Sequence, residues 1–291
     1  MNSQKVIVIT GASSGIGASL TRALSADGHR LFVCGRREDR LLEVTQDNPL
    51  ARWQVVDVAN NVEVEAFARM VYSETPMVDA LICCAGTFGP IGLVTEIDPT
   101  DWWRTLQTNL LGTFLAIHHF VPLMKSGDGR IITFSGGGAF NPLPRCSSYA
   151  SSKAAVVRLT ETIAQELQST GISANCIAPG FINTEIHQAT LNAGPVVAGS
   201  DFFSVTKAKL SEGAVPMHVP IDCIRFLLSD LSRGLTGKTI SANFDPWSTP
   251  NFQNSIQEIN ESELYTMRRV NFNNFEPVEP ISKLFNTPAD N

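Results

Sequence analysis

The amino-acid sequence predicts an α/β fold in which a parallel sheet is covered by helices on both faces. Short runs of β-branched and other apolar residues alternate with longer amphipathic segments along most of the chain. The short runs are apolar throughout and each is followed by a helical pattern, which is typical of strands buried in a parallel sheet. A glycine-rich turn also follows the first run, in VIVITGASSGIG.

Length and composition are consistent with one large domain. The chain has 291 residues, of which 43% are apolar and 17% charged, so it can bury a substantial core. A net charge of -6 and a pI near 5.4 give no reason to expect nucleic-acid binding. We expect residues 1–244 to form the domain and residues 245–291 to form a C-terminal extension.

The cysteines and the N-terminal residues predict the cellular setting. The chain enters its first predicted strand almost at once, in MNSQKVIVITG, which leaves no room for a signal peptide. No apolar run approaches the length that crosses a bilayer. The six cysteines are spread out without a C-x-x-C pair, so we expect reduced thiols and no metal site. These observations predict a cytoplasmic protein without a membrane partner.

The individual elements follow from the same patterns. Strands are predicted at residues 6–10, 31–34, 53–56, 80–84, 130–134, 173–177 and 238–242. Helices are predicted at residues 15–27, 38–47, 61–73, 101–124, 149–169 and 220–229. Residues 180–218 form a long stretch between a strand and a helix, which suggests a lid or binding loop. Residues 245–291 carry too many large apolar side chains for a solvated tail, so we expect them to pack on their own subunit or a neighbouring one.

The turn after the first predicted strand has the spacing of a dinucleotide-binding loop. Gly11 permits a tight turn, Gly15 lets the backbone approach a pyrophosphate, and Gly17 lets helix and strand pack closely. The helix that begins here adds N–H donors and the positive end of its dipole. The contacts with the dinucleotide are predicted to come from Gly11, Ser13, Ser14, Gly15, Ile16 and Gly17.

The end of the second predicted strand, in FVCGRRED, indicates which dinucleotide binds. An acidic residue at this place typically holds the ribose 2′-hydroxyl of NAD, but here Gly35 is followed by Arg36 and Arg37. Because guanidinium groups bind phosphate well and no carboxylate repels it, we expect NADP rather than NAD. The alternative is that both arginines simply face solvent. Asp57 and Val58, which close the third strand, are placed to contact the adenine.

Two motifs together resemble those of a known family, namely Thr10-Gly11-x-x-x-Gly15-x-Gly17 and Tyr149-x-x-x-Lys153. Over roughly residues 5–243 the chain resembles the short-chain dehydrogenase/reductase family. The resemblance implies one Rossmann-like domain with a seven-stranded, doubly wound parallel sheet, and an oxidoreductase that acts on a carbonyl compound or a secondary alcohol. It also implies further site residues: Asn109 in TNLLG, Ala85 and Gly86 after the fourth strand, and Pro179, Gly180, Ile182 and Thr184 near the nicotinamide.

The resemblance assigns acid–base chemistry to Tyr149. A tyrosine near its ordinary pKa of about 10 is a poor acid–base group at neutral pH. Lys153 lies one helical turn further on the same face, and we expect its charge, together with that of the oxidised nicotinamide, to lower the pKa of the phenol. Tyr149 would exchange a proton with the substrate oxygen while NADPH exchanges hydride with the carbon, and Lys153 would also hold the ribose hydroxyls. Asn109 would bind a water that links Lys153 to solvent.

One catalytic position departs from the family pattern. The family's serine lies thirteen residues before its tyrosine, and that count leads from Tyr149 to Gly136. Ser135 lies one place earlier and would point to the opposite face of a regular strand. Three alternatives remain open: a rotated Ser135, a hydroxyl of Ser147 or Ser148, or a backbone N–H between Gly136 and Gly138.

Three functions are compatible with these residues. The first is an NADP-dependent carbonyl reductase or alcohol dehydrogenase. The second is a dinucleotide-binding protein with little catalysis, suggested by Gly136 and by Cys83-Cys84 where the family usually has Asn-Asn. The third is a keto-sugar or nucleotide-sugar reductase, suggested by the open glycine stretch and by Arg268 and Arg269. The resemblance also implies a homodimer or homotetramer.

Overall fold

A computed structural model of the chain describes residues 4–269. They contain a parallel sheet of seven strands in the order β3-β2-β1-β4-β5-β6-β7, flanked by helices, which confirms the predicted fold class. The strands are β1 Val6–Thr10, β2 Arg30–Gly35, β3 Ala51–Val55, β4 Ala80–Cys83, β5 Arg130–Phe134, β6 Ser173–Ala178 and β7 Thr239–Ser241.

Helices connect each strand to the next and continue beyond the last one. They are α1 Gly15–Ala26, α2 Glu38–Thr45, α3 Asn61–Glu74, α4 Pro99–Leu106, α5 Gly112–Phe120, α6 Ser147–Glu166, α7 Gln188–Ala198, α8 Ser200–Ala208, α9 His218–Leu228, α10 Pro250–Asn254 and α11 Ile256–Glu261. Since every connection between parallel strands contains at least one helix, the sheet is covered on both faces.

The sheet separates two apolar layers because successive strand residues point to opposite faces. Ile7 and Ile9 of β1 belong to the layer under α1 and α9, whereas Val8 belongs to the layer under α3, α5 and α6. β1 pairs with β2 on one side and with β4 on the other, so the direction of winding reverses between β1 and β4. In open α/β sheets, ligands bind outside the carboxyl ends of the strands at this point.

The long helix predicted at residues 101–124 is interrupted in the structure. α4 and α5 are separated by one turn of π-helix, Gln107–Leu111, which contains Asn109. Such a turn changes the hydrogen-bond spacing within a helix without an obvious change in the apolar pattern, and such turns occur often at functional sites. The periodicity of the sequence therefore predicted the helix but not its interruption.

The segment at residues 180–218 contains two helices, α7 and α8, where the sequence indicated a loop. Gly194 and Gly199 have φ values of 72° and 86°, and Pro195 follows the first of them. These residues break the helical repeat after a few turns. The remaining pieces are too short for their periodicity to be recognised.

The C-terminal extension packs on its own chain as far as the structure describes it. Phe252, Ile256 and Ile259 are buried against the apolar layer under α1 and α9. The indole nitrogen of Trp247 donates to the carbonyl oxygen of Ala242 at 3.0 Å. The remainder of the extension, from residue 270 onward, lies outside the described residues.

The extension also covers the edge of the sheet at β7. The N–H of Thr239 donates to the carbonyl oxygen of Tyr265 at 2.7 Å. The N–H of Ser241 donates to the carboxylate of Asp245 at 2.6 Å. Both N–H groups that face away from β6 are therefore satisfied within the chain.

All six cysteines are free, and burial raises the pKa of Cys34 and of Cys84 to about 12, which keeps these thiols neutral. No helix between residues 4 and 269 is both long and apolar enough to cross a membrane.

Candidate active site

A cleft of about 1320 Å³ opens at the carboxyl ends of the strands. It extends from the turn after β1 to the segment after β6 and reaches the helices α7 and α8 and the C-terminal extension. The predicted catalytic and cofactor-binding residues all border this cleft except Asn109, and the alternative donors Ser147 and Ser148 do not border it. Small-molecule pockets are typically about 300–1,000 Å³, so the cleft has room for a dinucleotide and a second molecule.

The turn between β1 and α1 has the shape that a pyrophosphate requires. Gly11 has a φ of 69°, and a Cβ at this position would lie 2.5 Å from the Cα of Ala85. A Cβ on Gly17 would overlap the carbonyl oxygen of Gly11. Ser14 precedes α1 without forming a side-chain cap, so the first N–H groups of the helix lie uncapped at the cleft. These features fit the phosphates of a dinucleotide.

Arg36 and Arg37 both border the cleft but differ in their contacts. Arg37 forms an ion pair of 3.0 Å with Glu185 and donates to the carbonyl oxygen of Ser13 at 3.4 Å. The hydrogen bond and charge of Arg37 lower the pKa of Glu185. Within residues 4–269 the side chain of Arg36 has no hydrogen bond or ion pair. Arg36 is therefore the guanidinium that a phosphate can engage without breaking another contact.

The predicted adenine contacts, Asp57 and Val58, lie where the chain leaves β3. A carboxylate oxygen of Asp57 accepts from the N–H of Ala59 at 3.0 Å, and Glu63 accepts from the N–H of Asp57 at 2.7 Å. Val58 is buried against Gly112 of α5. These contacts hold this part of the chain rigidly at the cleft.

Tyr149 and Lys153 lie one turn apart on α6 and both border the cleft. The ring of Tyr149 stacks on Phe88, with ring centroids 4.5 Å apart. The ammonium nitrogen of Lys153 lies 5.8 Å from the centroid of the Tyr149 ring and donates to the carbonyl oxygen of Phe134 at 2.9 Å. The structure thus brings the predicted pair together and holds both side chains in place.

The protein groups alone raise the pKa of Tyr149 and do not lower it. Burial raises the pKa of Tyr149 to about 12, and the neighbouring Cys146 acts in the same direction. Burial also lowers the pKa of Lys153, because a buried ammonium loses its hydration. The spacing of four residues indicated the proximity of the two groups, but it contained no information about their desolvation.

Asn109 lies behind the cleft, in the π-helical turn. Its amide oxygen accepts from the N–H of Thr87 at 2.8 Å, and its amide nitrogen donates to Thr87 and to the hydroxyl of Ser152, both at 2.9 Å. A Cβ on Gly86 would lie 3.4 Å from the amide oxygen of Asn109 and 3.7 Å from the ammonium nitrogen of Lys153. The side chain of Asn109 therefore fixes the chain after β4, close to Lys153.

The segment after β6, which begins with Pro179, connects the sheet to the helices that cover the cleft. Gly180 has a φ of 84°, and Ile182 forms an isolated parallel bridge with Val215. A Cβ on Gly15 would lie 3.4 Å from the methyl group of Thr184. The predicted nicotinamide segment therefore lies directly beside the glycine turn after β1.

None of the three serine hydroxyls considered above is open to the cleft. The hydroxyl of Ser147 accepts a hydrogen bond from the indole nitrogen of Trp102 at 3.1 Å, toward α4. The hydroxyl oxygens of Ser135 and Ser148 are closed off from solvent and have no hydrogen-bond partner within residues 4–269. Other atoms of Ser135 do border the cleft.

Gly136 lies directly against Tyr149. A Cβ on Gly136 would overlap the hydroxyl oxygen of Tyr149 and would lie 3.0 Å from the ring carbon that bears it. By contrast, a Cβ on Gly137 would meet nothing closer than the side chain of Leu143 at 3.9 Å. The phenol therefore occupies the space that a side chain at position 136 would need.

Apolar residues that the sequence analysis did not single out surround Tyr149. Phe88, Leu143, Ile186 and Phe202 pack with it in one cluster, and the rings of Phe88 and Phe202 are 6.3 Å apart. Phe88 follows the Ala-Gly motif after β4 by two residues, and that position could have identified it. The other three lie in a loop and in the covering segment, where no periodicity indicates a contact.

The C-terminal extension also contributes to the cleft through Tyr265 and Thr266. Tyr265 has a φ of 58°, and its buried hydroxyl has no hydrogen-bond partner within residues 4–269. Burial raises the pKa of this phenol to about 12. Neither Arg268 nor Arg269 borders the cleft, and Arg268 forms an ion pair with Glu263. The tail arginines are thus not placed to bind a substrate phosphate.

Comparisons with known proteins agree with this geometry. A family model described as short chain dehydrogenase matches residues 5–193, which include the glycine turn, Tyr149 and Lys153. An uncharacterized oxidoreductase of Staphylococcus saprophyticus is 34% identical over 188 residues, or 62% of this chain and 80% of that protein. A 3-oxoacyl-(acyl-carrier-protein) reductase of Rickettsia felis is 29% identical over 240 residues, or 82% of this chain and 95% of that protein. The crystal structure of a variant actinorhodin polyketide ketoreductase with NADPH has a TM-score of 0.73 at 26% identity, covering 83% of this chain and 97% of that one.

Proposed function

The chain belongs to the short-chain dehydrogenase family of NAD(P)-dependent oxidoreductases, and from that premise we propose that it is an NADP-dependent reductase of carbonyl compounds. One observation carries the proposal. Tyr149 and Lys153 face a single cleft that begins at the uncapped N-terminus of α1 and the glycine turn. A hydride carrier held at one end would bring its reactive ring to the phenol at the other.

Tyr149 is the proposed proton donor. The dinucleotide, when bound, supplies the hydride. The phenol would hold the substrate oxygen by a hydrogen bond and release its proton to that oxygen as the carbon is reduced. Stacking on Phe88 fixes the plane of the phenol ring, and the bond from Lys153 to Phe134 fixes the ammonium. Lys153 would hold the ribose hydroxyls beside Tyr149, and Asn109 would fix the chain after β4 through its hydrogen bonds with Thr87.

The raised pKa of Tyr149 keeps the phenol in the form that can donate a proton. A phenol with a pKa of about 12 stays protonated throughout the neutral range. Such a group can donate a proton at once, whereas it can accept one only after it has become a phenolate. Near neutral pH the phenol is therefore in the state that reduction of a carbonyl compound requires of its proton donor.

Arg36 supports the preference for NADP. Its guanidinium borders the cleft at the end of β2, and no carboxylate within residues 4–269 pairs with it. Gly35 brings this end of β2 close to the glycine turn, since a Cβ there would lie 2.9 Å from the hydroxyl of Ser13. A 2′-phosphate bound beside that turn would meet Arg36 first.

The apolar cluster around Tyr149 supports a substrate with an apolar body next to its carbonyl group. Phe88, Leu143 and Phe202 would contact that body, since all three pack with Tyr149 in one apolar cluster and border the cleft. The Rickettsia felis and actinorhodin relatives are named as a 3-oxoacyl reductase and a polyketide ketoreductase, which supports the same substrate class. A homodimer or homotetramer remains our expectation for the assembly.

Replacement of Tyr149 tests the proposed function. We expect Tyr149→Phe to lower kcat by about 10²–10⁴-fold, because the general acid is lost while the stacked ring remains. NADPH binding, followed by fluorescence titration, should be unchanged. The matched control is Tyr72→Phe, since Tyr72 is an exposed tyrosine on α3. Turnover would be measured as loss of NADPH absorbance with a panel of aryl and cyclic aliphatic ketones.

Two outcomes would contradict the proposal. Full turnover by Tyr149→Phe would remove the phenol from its role. A wild-type protein that binds NADPH but reduces no ketone in the panel would favour a dinucleotide-binding protein with little catalysis.

A further inference from the structure

Gly136 stands at the position of the family's serine, and the space for its side chain is already filled. A Cβ there would overlap the hydroxyl oxygen of Tyr149 and approach two carbons of its ring to 3.0 and 3.2 Å. The ring cannot withdraw freely, because Phe88 stacks on it at 4.5 Å and Cys146 is packed in the same cluster. The active site is therefore built around a glycine and is not a family site that has merely lost one hydroxyl.

A carbonyl oxygen bound next to Tyr149 still requires a second donor, because preorganised donors at the reacting oxygen supply much of the rate enhancement. The serines cannot provide it in this arrangement. Ser147 is bound to Trp102, and the hydroxyl oxygens of Ser135 and Ser148 are closed off from the cleft. Asn141 is the remaining neutral side-chain donor that this loop presents to the cleft.

The backbone of the same loop has unused donors. β5 pairs with β6 as far as the N–H of Ser135, which donates to the carbonyl oxygen of Ile177 at 2.9 Å. Beyond that bond, the N–H groups of Gly136 and Gly137 have no acceptor within residues 4–269. Both glycines border the cleft, and Gly136 touches the phenol oxygen that would bind the substrate. Unpaired N–H groups at such a place can stabilise charge that develops on an oxygen.

We propose that the N–H groups of Gly136 and Gly137 polarise the substrate carbonyl in place of the serine hydroxyl, and that residue 136 lacks a side chain so that Tyr149 can reach its working position. Gly136 is thus a positioning residue for Tyr149 as well as a donor. This inference rests on the proposed function and explains how that function is retained without the serine.

Substitutions at Gly136 test the steric part of the proposal. Gly136 does not have a positive φ, so alanine is compatible with the backbone at this position. We expect Gly136→Ala and Gly136→Ser to lower kcat by about 100-fold or more, because a displacement of the phenol of about 1 Å has an effect of that size. The dissociation constant of NADPH should stay unchanged. Gly213→Ala is the matched control and should keep wild-type turnover, since Gly213 lies outside the cleft and its Cβ would approach only the side chain of Lys209, at 3.7 Å.

The donor part is tested by removing side chains and N–H groups separately. Ser135→Ala and Asn141→Ala should each retain kcat within about threefold. Replacement of Gly137, or of Gly136, by glycolic acid through a suppressor transfer RNA exchanges the N–H for an ester oxygen. We expect at least one of the two esters to lower kcat by about tenfold or more, with NADPH binding intact.

The outcomes separate this inference from the proposed function. If Gly136→Ser turns over faster than the wild type while Tyr149→Phe is inactive, the inference fails and the function stands. If Ser135→Ala loses about 100-fold, or if both esters are fully active, the backbone donors are excluded. If Tyr149→Phe is fully active, the function itself fails. Thermal unfolding of each variant distinguishes a lost fold from a displaced phenol.

Discussion

Two glycine-rich turns border the cleft, and they use glycine for different purposes. In the turn after β1, the missing Cβ atoms of Gly11 and Gly17 let backbone approach backbone, at Ala85 and at Gly11. In the turn after β5, the missing Cβ of Gly136 lets the side chain of Tyr149 approach the backbone. The first turn makes room for another part of the backbone, and the second makes room for a side chain.

The difference shows what a motif can and cannot reveal. The spacing of Gly11, Gly15 and Gly17 has a known physical meaning, so the turn after β1 could be interpreted from the sequence alone. The stretch at residues 136–138 has no such meaning in isolation. From the sequence alone, Gly136 looks like the loss of a catalytic hydroxyl. The structure shows that the phenol of Tyr149 occupies the space that a side chain at position 136 would need.

The largest expected effect that separates the two turns is on NADPH binding. Gly17→Ala forces its Cβ into the carbonyl oxygen of Gly11, and an overpacked backbone of this kind costs about 1–3 kcal/mol. We expect NADPH affinity to fall by up to about 100-fold, whereas Gly136→Ala should leave it unchanged. Isothermal titration calorimetry measures both.

The control for this contrast is Gly213→Ala, because Gly213 lies outside the cleft and its Cβ would approach only the flexible side chain of Lys209, at 3.7 Å. It should bind NADPH as the wild type does. If Gly17→Ala also binds normally, the turn after β1 tolerates a side chain and the contrast between the turns disappears.

The pH dependence sharpens the comparison at the second turn. Because the phenol packed on Gly136 has its pKa raised to about 12, it is protonated well below that pH. The kcat of ketone reduction should therefore be flat from about pH 6 to about pH 9. The kcat of alcohol oxidation needs the phenolate and should rise about tenfold for each pH unit over the same range.

Steady-state rates in both directions test this expectation. A plateau in the oxidation rate below about pH 8 would mean that the phenol ionises far more easily than its burial implies. In that case the attraction of Lys153 would outweigh desolvation after all.

The smallest expected effect concerns the arginine beside the first turn. Arg36→Ala should raise the KM for NADPH by about tenfold, because a hydrogen bond to a charged phosphate is lost at an exposed position. The KM for NADH should change little. Arg40→Ala is the matched control, since Arg40 is half exposed on α2 and does not border the cleft. Equal increases in the KM for NADPH and the KM for NADH would show that Arg36 does not recognise the 2′-phosphate.

Most of the fold was predictable from the sequence, because the strands are continuous apolar runs with helical patterns between them. The exceptions have local causes. The π-helical turn at Asn109 preserves the apolar pattern of its helix, and the covering helices α7 and α8 are broken by Gly194, Pro195 and Gly199. In both places the hydrogen-bond geometry changes without a matching change in periodicity.

The motif residues of the candidate site were predictable, whereas its apolar wall and its electrostatics were not. The motifs identified residues that the structure brings to one cleft, with Asn109 directly behind it. The direction of the Tyr149 pKa and the closure of the Ser135 hydroxyl depend on packing by residues distant in the chain, such as Phe88. The spacing of two residues along a helix contains no information about how other parts of the chain bury their side chains.

At the far end of the sheet, the two N–H groups of β7 that face away from β6 already donate to Tyr265 and Asp245. They are therefore not free to pair with a strand of another molecule. Exposed edges of this kind are where sheets of separate molecules join and polymerise. Another copy of the protein would have to displace the C-terminal extension before one of its strands could pair with β7. Shortening the chain ahead of Tyr265 would remove that protection and leave a template for aggregation.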